Sequence, residues 1–196
     1  MTAYPDGRIR CPWPGNADPL YLDYHDTQWG APLRDDRALF EMFILETFQA
    51  GLSWHTILKR REGFRQAFGG FDPAVMAAYT DADVERLMND PGIIRNRLKI
   101  EAARANARAV LTLAERNGGF AKYLWEFVDH TPIVNTWENI TQIPATTPLS
   151  DAVSRALKAR GFRFVGSTTV YAFLQAAGLV NDHLISCFRH AELSRA

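Results

Sequence analysis

The sequence predicts an all-α fold, and three observations carry that expectation. Apolar residues recur at helical spacing in most segments, strand-like alternation is scarce, and capping residues and glycines sit where those segments begin and end. The first helix runs through DDRALFEMFILETFQAG, where Asp35 or Asp36 can cap the free N–H groups and Gly51 marks the end. A second spans SWHTILKRREGFRQAF, and a short third follows Thr80 in TDADVERLMN. A long amphipathic helix covers RLKIEAARANARAVLTLAERN, with Ile100, Ala103, Ala107, Val110, Leu111 and Ala114 as its apolar stripe and Gly118–Gly119 as its stop. Another spans GFAKYLWEFVDH. The segment TPIVNTWENITQIPATTPLS has prolines, threonines and no period, so it reads as a connecting loop at a lobe boundary. Ser150 then caps DAVSRALKARG, a tight hairpin follows, and TTVYAFLQAAG forms the next helix. The last helix begins at Asn181 or Asp182 and carries His183 and Cys187.

Composition bounds the function classes. The chain has 196 residues, 47% hydrophobic and 22% charged, ordinary values for one globular domain over residues 1–196. No apolar run has the length of a membrane span and no secretory signal is visible, so a soluble, cytoplasmic, monomeric protein is expected. The formal net charge of zero argues against a generic basic DNA binder, unless the basic residues gather on one face.

Two cysteines and two histidines stand at opposite ends. Cys11 and His25 lie near the start, and His183 and Cys187 are four apart near the end, which on a helix places both side chains on one face. Two thiolates and two imidazoles suit tetrahedral zinc, and such a site would clip the N-terminal segment to the C-terminal one. Two cysteines can equally be small buried hydrophobes, and the thirteen residues between Cys11 and His25 match no common zinc motif.

GFRFVGST, residues 161–168, joins two helices. A glycine-punctuated turn running into a helix N-terminus leaves N–H groups free to meet an anion; Gly166 permits close approach, and Thr168 and Thr169 add hydroxyls. The pattern suits a helix-hairpin-helix gripping a DNA backbone, or a plain αα-hairpin. Upstream, Arg97, Arg104 and Arg108 share a face that can track phosphates or simply be solvated.

In the first helix Arg37 and Glu41 mark a polar side. Glu46 falls with Leu39, Met42 and Phe43 on the apolar one, where a carboxylate is costly unless it is paired or working. Trp54 follows closely, and Trp13, Tyr21, Tyr24 and Trp29 crowd the N-terminal segment, largely outside helices. An aromatic box beside one acid suits a flat cationic ring.

Taken together, RCPW, DPLYLDYHDTQWG, LFEMFILETFQAGLSW, GIIRNRLKI, SDAVSRALKARGFRFVG and GLVNDH resemble the DNA-3-methyladenine glycosylase I family, bacterial base-excision repair enzymes of the helix-hairpin-helix superfamily. The likeness runs from about Arg10 to Cys187. It implies a structural zinc on Cys11, His25, His183 and Cys187, and a flipped base stacked on Trp54 and read by Glu46 and Tyr24. It also implies Trp13 and Tyr21 as pocket walls, Leu52 beside Gly51 as the wedge, and a hairpin at Gly166 holding double-stranded alkylated DNA through a monovalent cation. The product would be 3-methyladenine, released by a monofunctional hydrolase, with Asp182 structural. The PGNA segment looks one residue longer than the family pattern, which would shift Trp13; His190 is a competing ligand, and Phe48 and His55 beside the pocket motif would tune lesion choice. The alternative function class is a zinc-stapled helix-hairpin-helix DNA-binding module without catalysis, which needs no Glu46–Trp54 pocket.

Overall fold

The computed structural model describes residues 4, 6–15 and 18–195, so Asn16 and Ala17 of the PGNA segment lie outside the described residues. Eleven α-helices are found among them: α1 Pro19–Thr27, α2 Asp36–Gln49, α3 Trp54–Lys59, α4 Arg61–Ala67, α5 Pro73–Ala77, α6 Asp81–Met88, α7 Arg97–Asn117, α8 Phe120–Trp125, α9 Pro148–Ala159, α10 Ser167–Ala176 and α11 Phe188–Leu193. None is long and apolar enough to cross a membrane.

Capping explains the helices that periodicity missed. α1 and α5 are short, but each starts at a proline behind an aspartate, Asp18 or Asp72, whose carboxylate accepts first-turn N–H groups. Tyr21 and Tyr24 are therefore helical, contrary to the expectation, and stand three residues apart on one face. The stretch expected as one helix from Ser53 breaks at Arg60, which leaves helical geometry with φ −103° and ψ 1° and separates α3 from α4. α9 is capped by Thr147 with Pro148 at its first position, and Ser150 completes the capping box from inside the first turn.

α2 is the central helix. Every residue from Leu39 to Phe48 is buried, so the supposed polar side is covered too: Glu41 is ion-paired with Arg61 and Arg65 from α4. Phe43 meets Phe120, Phe162 and Phe173 edge to face, while Phe48 packs on Phe64 and Phe68. Full burial of each such ring is worth about 2–3 kcal/mol. Phe48 is thus core and does not border the pocket.

On α7 the buried stripe is Ile100, Ala103, Ala107, Val110 and Leu113, with Leu111 and Ala114 only partly covered. Gly118 ends the helix in the left-handed region at φ 78°. Arg97 pairs with Glu85, Arg104 with Asp81, and Arg108 donates to the Ala77 carbonyl, so these arginines fasten α5 and α6 rather than forming a free phosphate track. Inside α7, Asn106 is fully buried and uses both ends of its amide on Arg163, at 2.7 and 3.1 Å, which fixes the turn between α9 and α10.

Two two-residue strands modify the all-α expectation. β1, Ile133–Val134, pairs in parallel with β2, Val180–Asn181, and stitches the long loop to the C-terminal segment. The largest correction lies after β2. The chain from Asp182 to Cys187 is an irregular turn, and α11 starts only at Phe188. His183 and Cys187 therefore do not share a helix face, and Asp182 opens no helix. Burying Asn181–Leu184 against the loop holds the turn outside helical geometry.

Candidate functional site

A cavity of about 380 Å³ opens between α1, α2, α3, α10 and the loop before α9. Its walls include Trp13, Tyr21, Tyr24, Trp29, Glu46 and Trp54, five aromatic rings and one acid. The Tyr24 and Trp54 rings are 5.2 Å apart, and Trp13 lies 5.2 Å from Tyr21 and 5.1 Å from Trp29. His55 is not part of this wall, but it stacks on Tyr21 at 5.1 Å and also meets Asp18, bracing α1 against α3.

Four polar atoms of this box are unsatisfied. Trp13 Nε1, Tyr24 Oη, Glu46 Oε2 and Trp54 Nε1 are all buried and have no hydrogen-bond partner among the described residues. Each such atom costs about 1–3 kcal/mol. Four converging on one cavity form a set of donors and acceptors prepared for a ligand. Desolvation alone pushes Glu46 up to about 8, so at neutral pH its carboxyl is mostly protonated. Burial and the nearby Glu46 push Tyr24 well above its usual value.

Several wall residues were not legible in the sequence. Ile140, Ile143, Pro144 and Ala145 come from the supposed connecting loop, and Tyr171, Ala172 and Gln175 come from α10. Their one signal was weak: a loop with isoleucines at 140 and 143 and no other reason to be apolar.

The cavity continues into a second of about 190 Å³, which shares Glu46, Gln49, Thr168 and Ala172 with the first and adds Gly51, Leu52 and Thr169. Gly51 has φ 81°, a conformation glycine adopts without strain, and it lifts Leu52 to 40% exposure at the mouth. Gly166 needs no such freedom, since its φ is −60°; a Cβ there would meet nothing of the protein, so the bare backbone matters only to an approaching molecule. No side chain caps α10, and the N–H groups of its first turn are left open beside Thr168. Ser154 accepts the task of holding the turn by donating to the Val165 carbonyl at 2.6 Å.

The cysteine–histidine cluster forms although its helix does not. The ligand atoms of Cys11, His25, His183 and Cys187 lie within 4.8 Å of one another and all four residues are buried. Three of the four sulfur-to-nitrogen pairs, Cys11–His183, Cys187–His183 and Cys187–His25, lie at 3.5, 3.5 and 3.6 Å. That matches the edge of about 3.5–3.6 Å expected of a tetrahedron with Zn–S near 2.3 Å and Zn–N near 2.0–2.1 Å. Both imidazoles are also oriented from behind. His25 Nδ1 donates to Asp26 at 2.8 Å and His183 Nε2 to the Trp29 carbonyl at 3.0 Å, which turns Nε2 of the first and Nδ1 of the second inward. The two thiols oppose each other's ionisation: contacts from Cys11 and both imidazoles hold Cys187 low, and its thiolate pushes Cys11 up. A divalent cation would remove that conflict. His190 bonds the Asn135 carbonyl and stands outside the cluster.

Cluster and cavity share walls. Trp13 lies 5.1 Å from the His25 ring, and Trp29 lies 4.6 Å from the His183 ring.

An aromatic cavity with orphaned polar atoms, beside a glycine turn and an open helix N-terminus, is a site built to take a flat polar ligand. The family model described as methyladenine glycosylase matches residues 13–190, and the chain belongs to that family. It is 52% identical to DNA-3-methyladenine glycosylase 1 of Escherichia coli K12 over 178 residues, covering 91% of this chain and 95% of that protein. A crystal structure of 3-methyladenine DNA glycosylase I superimposes with a TM-score of 0.88 at 53% identity, covering 92% of this chain and 98% of the other. A variant of 3-methyladenine DNA glycosylase I in complex with 3-methyladenine is 40% identical, also with a TM-score of 0.88, over 91% and 96% of the two chains.

Proposed function

We propose that this protein is a monofunctional glycosylase that removes 3-methyladenine from alkylated double-stranded DNA, acting as a cytoplasmic monomer. The four unpaired polar atoms in one aromatic cavity carry this reading. A base methylated at N3 is cationic while bonded to its sugar and neutral once released. In the proposed complex it stacks on Trp54, with Trp13 and Tyr21 as side walls and Tyr24 and Glu46 hydrogen-bonded to its edge. A cation in the cavity favours the ionised form of Glu46, and the carboxylate in turn stabilises the cation against water. Water attacks the anomeric carbon as the C–N bond breaks; the base keeps the bonding electrons and leaves neutral, and a proton goes to solvent. Because the leaving group is already cationic, selection by fit replaces strong acid catalysis.

Leu52 on its Gly51 turn fills the gap left by the flipped nucleotide. The Gly166–Thr168 segment takes a phosphate on the open N–H groups of α10, as a helix-hairpin-helix. The Phe162 and Phe164 carbonyls are among the oxygens of this turn that no described donor takes and are available to a monovalent cation there. Zinc on Cys11, His25, His183 and Cys187 would be structural, joining the two ends of the chain. With four protein ligands it leaves no position for substrate.

The test compares bases released from methylated duplex DNA by the parent and by Glu46→Gln. Release of 3-methyladenine by the parent, and much less by the variant, is expected. Equal release by both would remove Glu46 from the site. No release by folded, zinc-containing protein would leave a DNA-binding module.

A further inference from the structure

We propose that Gln175 is a specificity-determining residue, presenting a fixed side-chain carbonyl that accepts from the 6-amino group of the bound adenine. The inference rests on the base-cavity reading above and deepens it. Gln175 lines the cavity from α10. Its Nε2 donates at 2.7 Å to Oδ2 of Asp182, which is buried and also takes the Tyr171 hydroxyl at 2.5 Å. The other oxygen of Asp182 takes Asn135 Nδ2 and Trp137 Nε1, both at 2.7 Å.

A carboxylamide is normally ambivalent, since rotating it exchanges donor for acceptor. Here that freedom is gone. A carboxylate only accepts, so turning the Gln175 oxygen toward Asp182 would set two acceptors against each other and orphan a buried donor. The amide must keep its NH₂ on Asp182, which spends one of the two N–H groups there and fixes Oε1 as the acceptor it turns to the cavity. The Tyr171 hydroxyl, also on the wall, is likewise spent on Asp182.

The consequence is a choice between purines. Adenine has an amino donor at position 6, whereas guanine and hypoxanthine have a carbonyl acceptor. Glu46 cannot make that choice unaided, because a carboxyl that can hold or lose its proton can face either group. Gln175, with its amide held by Asp182, presents an acceptor and so favours the donor. Asp182 is therefore a positioning residue acting through Gln175, one reason for so many donors to converge on a single buried aspartate.

The test titrates the zinc-loaded protein of residues 1–196 with 3-methyladenine and with 3-methylhypoxanthine, in which a carbonyl replaces the amino group, following tryptophan fluorescence. The parent is expected to prefer 3-methyladenine. In Gln175→Met its affinity should fall about tenfold, the effect of one buried hydrogen bond lost, while that for 3-methylhypoxanthine stays or rises. Gln175→Leu is the second variant. The readout is the ratio of the two affinities, which a partly unfolded sample leaves unchanged. A loss shared equally by both ligands, or no loss, overturns the assignment and leaves the cavity reading standing. A parent that binds neither base overturns both.

Discussion

Replacing Glu46 with glutamine should make the protein's stability less sensitive to pH, and the size of the change follows from burial. The carboxyl, ordinarily near 4.5, is pushed up to about 8 in the fold by desolvation. Between those values the folded chain keeps a proton that the unfolded chain has released. Raising the pH then favours unfolding by about 1.4 kcal/mol per unit, reaching roughly 3 kcal/mol at pH 7, and the effect ends above pH 8, where both states are ionised. The stabilising contribution is thus complete below pH 4.5 and lost as the pH climbs through 8. Glutamine has nothing to titrate, so the parent-minus-variant stability difference isolates this group. Tyr24, the neighbour coupled to it, titrates above the window. The assay is urea unfolding at half-unit steps from pH 4.5 to 9, with the same excess of zinc supplied to both proteins. A difference falling across the window and flat outside it is expected. Parallel curves for the two proteins would show that Glu46 is solvated, and the argument from its desolvation would collapse.

Cys187→Ser should lose the metal and several kcal/mol of stability, because zinc binding worth about 10–16 kcal/mol in small structural sites counts toward folding; full zinc content by metal analysis with an unchanged unfolding midpoint would refute this. Lys99, buried on α7, donates to the Phe48 and Ala50 carbonyls at 2.8 and 2.6 Å and so ties down the end of α2 just before Gly51 and Leu52. Lys99→Met should cost about 2 kcal/mol and weaken binding to duplex DNA containing an abasic site more than binding to free 3-methyladenine. An equal effect on both would mean that Lys99 does not position the proposed wedge, Leu52.

The sequence carried some of this well. Glu46 on an apolar face is a local statement, fixed by the helical period through Leu39, Met42 and Phe43, and it survives as a buried, unpaired acid. Glycine stops and aspartate or threonine caps also act within a few residues, so most helix positions were readable. Where capping alone drove a short helix, as in α1, periodicity had too few turns to register. The four cysteine and histidine side chains were found for a partly wrong reason, since the supposed helix under His183 and Cys187 is a turn.

By itself, then, the sequence determined the helical class, the candidate metal ligands, the acid and most of its aromatic company, because residue type and local spacing set those. Tertiary structure decided what faces them. Cys11 meets His183 across 172 positions, Asn106 grips a turn 57 residues away, and the loop at Ile140 becomes a cavity wall. Asp182, which local reasoning placed at a helix start, proved to hold four donors drawn from the loop and α10. A period along the chain tells which face seeks cover. Which element supplies that cover depends on packing the whole chain at once, and so does whether a buried polar atom finds a partner or is left open to a ligand.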